Sequence, residues 1–346
     1  MNLFYELVKV ALGNNSVLSR IPSDAEWYNL YKICQEQCIT GVVFEALDRL
    51  SKQGQKPPLD LLYQWICDAE LIKQQNLIVN RRCVEISRMF AEAGFKTCIL
   101  KGQGNALLYP NPLSRTSGDI DIWVDADKNI IDEFVHKRFS NIKGGRMHIE
   151  FPVFDDVSVE VHYIPRYMFA PWHDRCIQAF FQKKADVQFG NMVTLEGTEG
   201  VCAVTTVDFS LVQQMSHLMS HYMGEGIGLR QFIDYYYLLN YHAVDTGIID
   251  VFRHCGLLEF AQGVMWIEKT LLGVDDNYLI VKPSERIGLA IKHTIEEGGN
   301  FGHHSSLNTF RHQSLIGRAI GGAKQSLRAM HYFPTEAAWK VIRKVF

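Results

Sequence analysis

The chain has 346 residues, enough for two or three domains, and its 47% hydrophobic and 21% charged content is that of a folded globular protein and excludes a disordered one. A net charge of -3 and a mean hydropathy of -0.06 exclude both a global pull toward nucleic acid or an anionic membrane and a membrane bundle. The stretch MNLFYELVKVALGNN carries no basic leader, no run is apolar enough to span a bilayer, and the eight cysteines form no CxxC pair. These features predict a cytoplasmic protein with reduced thiols, although Cys34 and Cys38 at i, i+4 would share a helix face and leave a metal or redox pair open.

The first ninety or so residues read as helices. Ser23 and Glu26 form a capping box ahead of Trp27, Leu30 and Ile33. Gly41 opens a second periodic stretch through Val43, Phe44, Leu47 and Leu50, which stops before Pro57-Pro58. Leu59 to Ala93 runs without proline or glycine, as one long helix or two joined by a kink, with Gly94 as its C-cap. From residue 95 the pattern changes. Lys96 to Leu100 suits a buried strand and runs into Lys101-Gly102-Gln103-Gly104, which precedes a short helix from Asn105 to Tyr109. A turn-rich loop, residues 110–118, leads to a strictly alternating strand, Asp119 to Val124, and then to a helix that turns Phe134 and Val135 toward a core. Met147 to Phe154 and Val157 to Ile164 form a hairpin about Asp155-Asp156. Helices return with Phe209–Met223, Leu229–Tyr241, Ile248–Cys255, Leu258–Leu272, Ser284–Glu297 and a last one from about Leu315, while Gly298 to Ser306 reads as a loop. The expected class is α+β: a small mixed-sheet core (residues 95–204) between a helical region (1–94) and a helical domain (205–346).

Asp119 and Asp121 leave the same face of their strand while Ile120 and Ile122 point to the core. On the hairpin's second strand Ser158, Glu160 and His162 share one face. If that strand lies beside the first, Glu160 joins the aspartates, and three adjacent carboxylates need a cation; hard oxygen ligands select magnesium or manganese. A glycine turn opening a helix offers backbone N–H groups to a phosphate, with Lys101 and Arg115 adding positive charge.

The order of these parts is what carries information. LKGQGNALLYPNPLSRTSGDIDIWV, then VSVEVHY, then HYMGEGIGLRQFIDYYYLL resemble an uncharacterised bacterial nucleotidyltransferase family within the superfamily that includes DNA polymerase beta. The resemblance, over roughly residues 60 to 240, implies that Asp119 and Asp121 bind divalent metal, that Glu160 is the third acid, and that Gly102 with its neighbours Lys101, Gln103 and Gly104, followed by Arg115 and Gly118, holds the triphosphate. The glycine turn departs from the Gly-Ser or Gly-Gly pair of the wider superfamily. Three readings follow: transfer of a nucleoside monophosphate, AMP from ATP or another nucleoside triphosphate, onto an acceptor; a nucleotide sensor without turnover; or a metal-dependent phosphohydrolase. The acceptor stays open between a small molecule, a sugar, a protein and an RNA end, and nucleic acid is not otherwise indicated.

Other residues carry two readings each. His162 either positions substrate, acts as a base, or is structural. Arg115 either contacts phosphate or pairs with Asp119; Arg230 either pairs with Asp234 at i, i+4 or reaches the nucleotide. His217, His221 and Glu225 could grip zinc from one helix face, but more simply line the cleft between the sheet and the helices. Beyond residue 300, Arg311, Arg318, Lys324, Arg328, Lys340, Arg343 and Lys344 face only Glu336, and with Phe310, Tyr332, Phe333 and Trp339 form either a solvated helix face or a contact for an acidic partner.

Overall fold

A computed structural model describes residues 2–224, 226–242, 246–298 and 329–345. The start of the expected last helix, from Leu315 to Arg328, the residues from 299 to 306, and Glu225, Phe310, Arg311, Arg318 and Lys324 lie outside them.

The N-terminal region is helical: α1 (Leu3–Ala11), α2 (Asp24–Glu36), α3 (Thr40–Lys52) and α4 (Leu59–Glu92). The Ser23–Glu26 capping box forms as read, and α4 is one uninterrupted helix. Cys38 does not share a face with Cys34. It lies beyond the end of α2 in a left-handed turn, φ 54°, and all eight cysteines are free.

Next come β1 (Thr97–Leu100), α5 (Gln103–Ala106), β2 (Ile120–Val124), α6 (Lys128–His136), β3 (His148–Glu150) and β4 (Val159–His162). The sheet order is β1-β2-β4-β3, with β2 and β4 parallel and the other pairs antiparallel. The hairpin strands are shorter than the residue pattern suggests. The helix after the glycine turn is also shorter and earlier, a single turn at Gln103–Ala106 instead of Asn105–Tyr109, because Pro110 lies just beyond. The long helix α7 (Pro171–Gly190), whose Pro171 is an N1 signal, and the two-stranded sheet of β5 (Met192–Thr194) and β6 (Val201–Ala203) complete this region and were not separated by sequence pattern.

The chain continues as α8 (Val207–Met223), α9 (Leu229–Tyr241), α10 (Thr246–His254), α11 (Leu258–Ile267), a π-helical turn at Glu268–Leu272, α12 (Glu285–Gly298) and α13 (Pro334–Val345). Among the described residues, no helix is long and apolar enough to cross a membrane.

Alternation on the strands divides the interior. Ile120, Ile122 and Val124 of β2, with Val159 and Val161 of β4 and Ile149 of β3, pack against Val79, Cys83, Ile86 and Phe90 of α4 and Phe134 of α6. The opposite face carries Trp123, whose ring centroid is 4.5 Å from Phe189 on α7 and 5.9 Å from Phe209 on α8. A second cluster joins the N-terminal helices to the C-terminal ones, from Phe4 and Trp27 through Phe232 and Phe260 to Phe333. The tail aromatics belong to it: Phe333 is buried beside Tyr222 and Phe260, and Trp339 packs edge-on to Trp172. Glu336 does not balance the tail's charge. It is buried and accepts from the N–H groups of Phe169 and Ala170 at 2.7 and 3.2 Å, capping the start of α7 where the helix dipole favours an anion.

Candidate active site

The site sits on the Trp123 face of the sheet, under α8 and α9. Parallel pairing of β2 and β4 sets Asp121 opposite Glu160 and Trp123 opposite His162. Because partners in register share a face, this pairing carries Glu160 to the aspartates. One carboxylate oxygen each from Asp119, Asp121 and Glu160 lies within 4.8 Å of the others. Asp119 is exposed, Glu160 half-buried and Asp121 3% exposed.

Two side chains hold Asp121. Lys101 Nζ is 2.8 Å from Oδ2 and His162 Nε2 is 2.9 Å from Oδ1. Burial alone would raise the Asp121 pKa, but Lys101 and His162 outweigh it and hold the carboxyl well below the usual range. Burial also works against the Lys101 ammonium, yet Asp121, Asp119 and Glu160 keep it charged and raise its pKa. His162 is raised as well, because its hydrogen bonds to Asp121 and Glu160 exceed the cost of its burial. Asp119 shifts the other way from Asp121: the Asp121 charge first, and then the protein packed around its strand end, push its pKa up although part of its side chain meets solvent. Two aspartates on one strand are thus driven apart by which of them holds Lys101 and His162.

Lys101 reaches Asp121 because the chain turns sharply after β1. Lys101 and Gly102 both take positive φ, 46° and 51°. For Gly102 this is unstrained, whereas for a lysine it is a rarely occupied region stabilised by its surroundings. Gly102 and Gly118 line the cleft together with Lys101, Asp119, Asp121 and Arg230. Gln103 and Gly104 do not. Gln103 is buried and its amide donates to Asn80 and, at 3.4 Å, to Asn76 of α4, and a Cβ on Gly104 would lie 3.2 Å from that of Val204. Their contribution is packing of the turn against α4 and β6. With α5 only one turn long, a helix dipole adds little at the phosphate position.

Arg115 does not pair with Asp119. Its Nε and Nη2 donate to Asp234 Oδ1 and Oδ2 of α9 at 2.7 and 2.8 Å, and Tyr109 adds its hydroxyl to Oδ1 at 2.7 Å. Asp234 is therefore committed to Arg115, and Arg230 Nη1 donates to the Thr116 carbonyl at 2.9 Å and lies against Gly118. The loop carrying Arg115 is fixed from behind by Asn76 of α4, which donates to the carbonyls of Leu113 and Arg115 at 3.0 and 2.7 Å. Gly41 permits the close approach of α3, since a Cβ there would stand 2.3 Å from the Ser114 carbonyl oxygen.

His217 of α8 lines the cleft, with the His221 ring centroid 4.3 Å from its own. Burial first, then neighbouring positive charge from Lys101 and Arg166, holds both imidazoles well below their ordinary pKa, so they present neutral rings. Sequence reasoning passed over His148, which faces His162 across the β3–β4 ladder. The hairpin register was the signal that could have found it.

Among curated proteins there is no match. Among solved structures the chain is similar to an antigenic nucleotidyltransferase-like protein from Paracoccidioides brasiliensis, at 14% identity and a TM-score of 0.35, over 64% of this chain and 94% of that one. The family described as "Uncharacterised nucleotidyltransferase" matches residues 23–273, which include both parallel strands, the turn at Gly102 and the Arg115–Asp234 pair. With that match over most of its length, the chain belongs to this nucleotidyltransferase family and is by membership a transferase.

Proposed function

We propose that the protein is a divalent-metal-dependent enzyme that transfers AMP from ATP to an acceptor hydroxyl or phosphate and releases pyrophosphate. The observation that carries this reading is the convergence of Asp119, Asp121 and Glu160 within 4.8 Å. The donor set fits magnesium or manganese: three carboxylates, hard oxygen ligands, one exposed and one half-buried. Such an ion, held by these three residues, would neutralise charge on the triphosphate and the leaving pyrophosphate.

The remaining work falls to the chain's own groups. Lys101 keeps Asp121 ionised, so the ligand is ready across the physiological range. Gly102 and Gly118 leave the cleft wall free of side chains where a triphosphate would lie, and Arg230, against Gly118, adds positive charge beside it. Glu160 takes the acceptor proton as the acceptor oxygen bonds to the α-phosphorus; the bond from that phosphorus to the bridging oxygen breaks and pyrophosphate leaves with the electron pair. The neutral rings of His217 and His221 form the acceptor side under α8. Small molecules, sugars and proteins are candidate acceptors.

The test is Asp119→Asn. Asp119 is exposed, so the substitution removes a ligand without stranding a buried partner. Magnesium-dependent pyrophosphate release from ATP, measured with extract as the acceptor source, should be abolished with the thermal melt unchanged. Undiminished release would sink the assignment, and AMP formed without any acceptor would make it a hydrolase.

A further inference from the structure

Beside the oxygen ligands lies a second donor set of different chemistry. His148 of β3 stands directly opposite His162 of β4, with ring centroids 5.2 Å apart. One ligand atom each from His148, Glu160 and His162 lies within 4.8 Å of the others. Both rings address the same carboxylate oxygen: His148 Nδ1 is 3.1 Å and His162 Nε2 3.4 Å from Glu160 Oε2. Directly opposed residues on antiparallel strands share a face, so the convergence is built into the hairpin register and does not depend on a loop.

Two further observations give these nitrogens the character of ligands. His148 Nδ1 is buried and makes no hydrogen bond despite its 3.1 Å separation from Glu160 Oε2, so its ligand atom is left open beside the carboxylate. The second nitrogen of His162 faces the Ile164 carbonyl at 3.4 Å, a contact that can keep a proton on that side, so that a metal ion replacing the proton between Nε2 and Asp121 would meet an oriented ring. Asp121 Oδ1, 2.9 Å from His162 Nε2, borders the same space, and Glu150, opposite Glu160 in the ladder, adds negative charge.

We propose that His148, Glu160 and His162 form a site for a divalent transition metal, joined through Glu160 to the oxygen site of Asp119 and Asp121 but selecting a different ion. Two imidazoles and one carboxylate suit zinc, cobalt or iron, and disfavour magnesium, which holds oxygen ligands and sheds water reluctantly. The proposal meets the nucleotidyltransfer reading at the shared Glu160 and at the His162–Asp121 contact; His148 belongs to no step of it.

The experiment titrates the full chain, stripped of metal, with zinc and with magnesium by calorimetry, and with cobalt by visible absorption and proton NMR. The wild type should bind zinc more tightly than magnesium, and its cobalt form should show paramagnetically shifted imidazole N–H resonances. His148→Gln should weaken zinc by at least about tenfold and leave magnesium affinity unchanged. Asp119→Asn should do the reverse. Unchanged zinc affinity in His148→Gln, or a cobalt form without shifted imidazole resonances, overturns the proposal; the cobalt spectrum of the wild type decides even if the variant fails to fold. Loss of pyrophosphate release in Asp119→Asn beside unchanged zinc binding in His148→Gln would defeat this site and leave the nucleotidyltransfer reading intact. The opposite pair of results would do the converse.

Discussion

Arg115 grips Asp234 at two points, 2.7 and 2.8 Å, and so ties the loop before β2 to helix α9 across 119 residues of sequence. Both groups are buried, and Tyr109 fills a further position on the carboxylate. Breaking one side of such a pair strands a charge, at a cost of about 3–5 kcal/mol, whereas replacing both sides by apolar groups is often neutral. Asp234→Asn should therefore destabilise the protein by that amount in denaturant unfolding. The double variant Arg115→Met with Asp234→Leu should recover most of the loss; failure to recover would mean that the pair does more than hold the loop.

Lys101 combines a functional ammonium with an unfavourable backbone, and two substitutions separate the contributions. Lys101→Ala and Lys101→Gly both remove the ion pair with Asp121, but only glycine accepts φ 46° without cost. The glycine variant should be the more stable by about 1 kcal/mol, the usual penalty for a side chain in the left-handed region. In both, the Asp121 pKa should rise, because the charge that most strongly lowers it is gone. The acid limb of magnesium binding, followed by calorimetry at several pH values, should shift upward.

The cleft histidines make stability depend on pH. His217 and His221 have folded pKa values depressed well below the ordinary 6.5, chiefly by burial. Between the depressed and the ordinary value the unfolded chain binds more protons, so their contribution is present above about pH 6.5 and is lost as the pH falls toward the folded pKa. Each ring should cost up to about 1.4 kcal/mol per pH unit over that range. Denaturant midpoints at successive pH values should fall on acidification, and His217→Asn should flatten the slope. An unchanged slope would place the charging group elsewhere.

Gly41 offers a packing test remote from any charge. A side chain at this position meets the Ser114 backbone at 2.3 Å, and backbone cannot step aside as a flexible side chain can. Gly41→Val should destabilise by about 1–3 kcal/mol, in line with other overpacked contacts. Since Ser114 precedes Arg115, pyrophosphate release should fall with it even though α3 touches no reacting group.

Local pattern revealed the parts of the site that depend on one segment. The alternation of residues 119–124 placed Asp119 and Asp121 on one side of β2, and Asp155-Asp156 marked the hairpin that presents Glu160 and His162. What pattern did not reveal is set by pairs distant in sequence. Arg115 had a near neighbour in Asp119 and Arg230 one in Asp234, yet the fold pairs Arg115 with Asp234. Only the packing of α9 over the loop decides between them. Likewise the one-turn α5 and the positive φ of Lys101 follow from how the turn wedges between α4 and β6, which no helical or strand period encodes. Helix α7 escaped because its apolar spacing is weak along most of its length, though Pro171 announced its start.

The cluster shared by the N-terminal and C-terminal helices bears on how the chain matures. Gln37, at the end of α2, accepts from the Leu229 N–H at 2.7 Å and donates to the Ile295 carbonyl at 2.9 Å. A ribosome exposes Gln37 and the apolar faces of α1 to α3 well before residues 229 and 295 have been synthesised. The earliest helices can pack on one another, as α1 and α3 do, but the part of their surface that meets α9 and α12 stays uncovered and open to aggregation until those helices arrive. The sheet with its acidic strands can form during that wait, but the cleft above it closes only when α8 and α9 arrive. The reaction centre is therefore completed only when Leu229–Tyr241 has emerged, more than a hundred residues after the acidic strand Ile120–Val124.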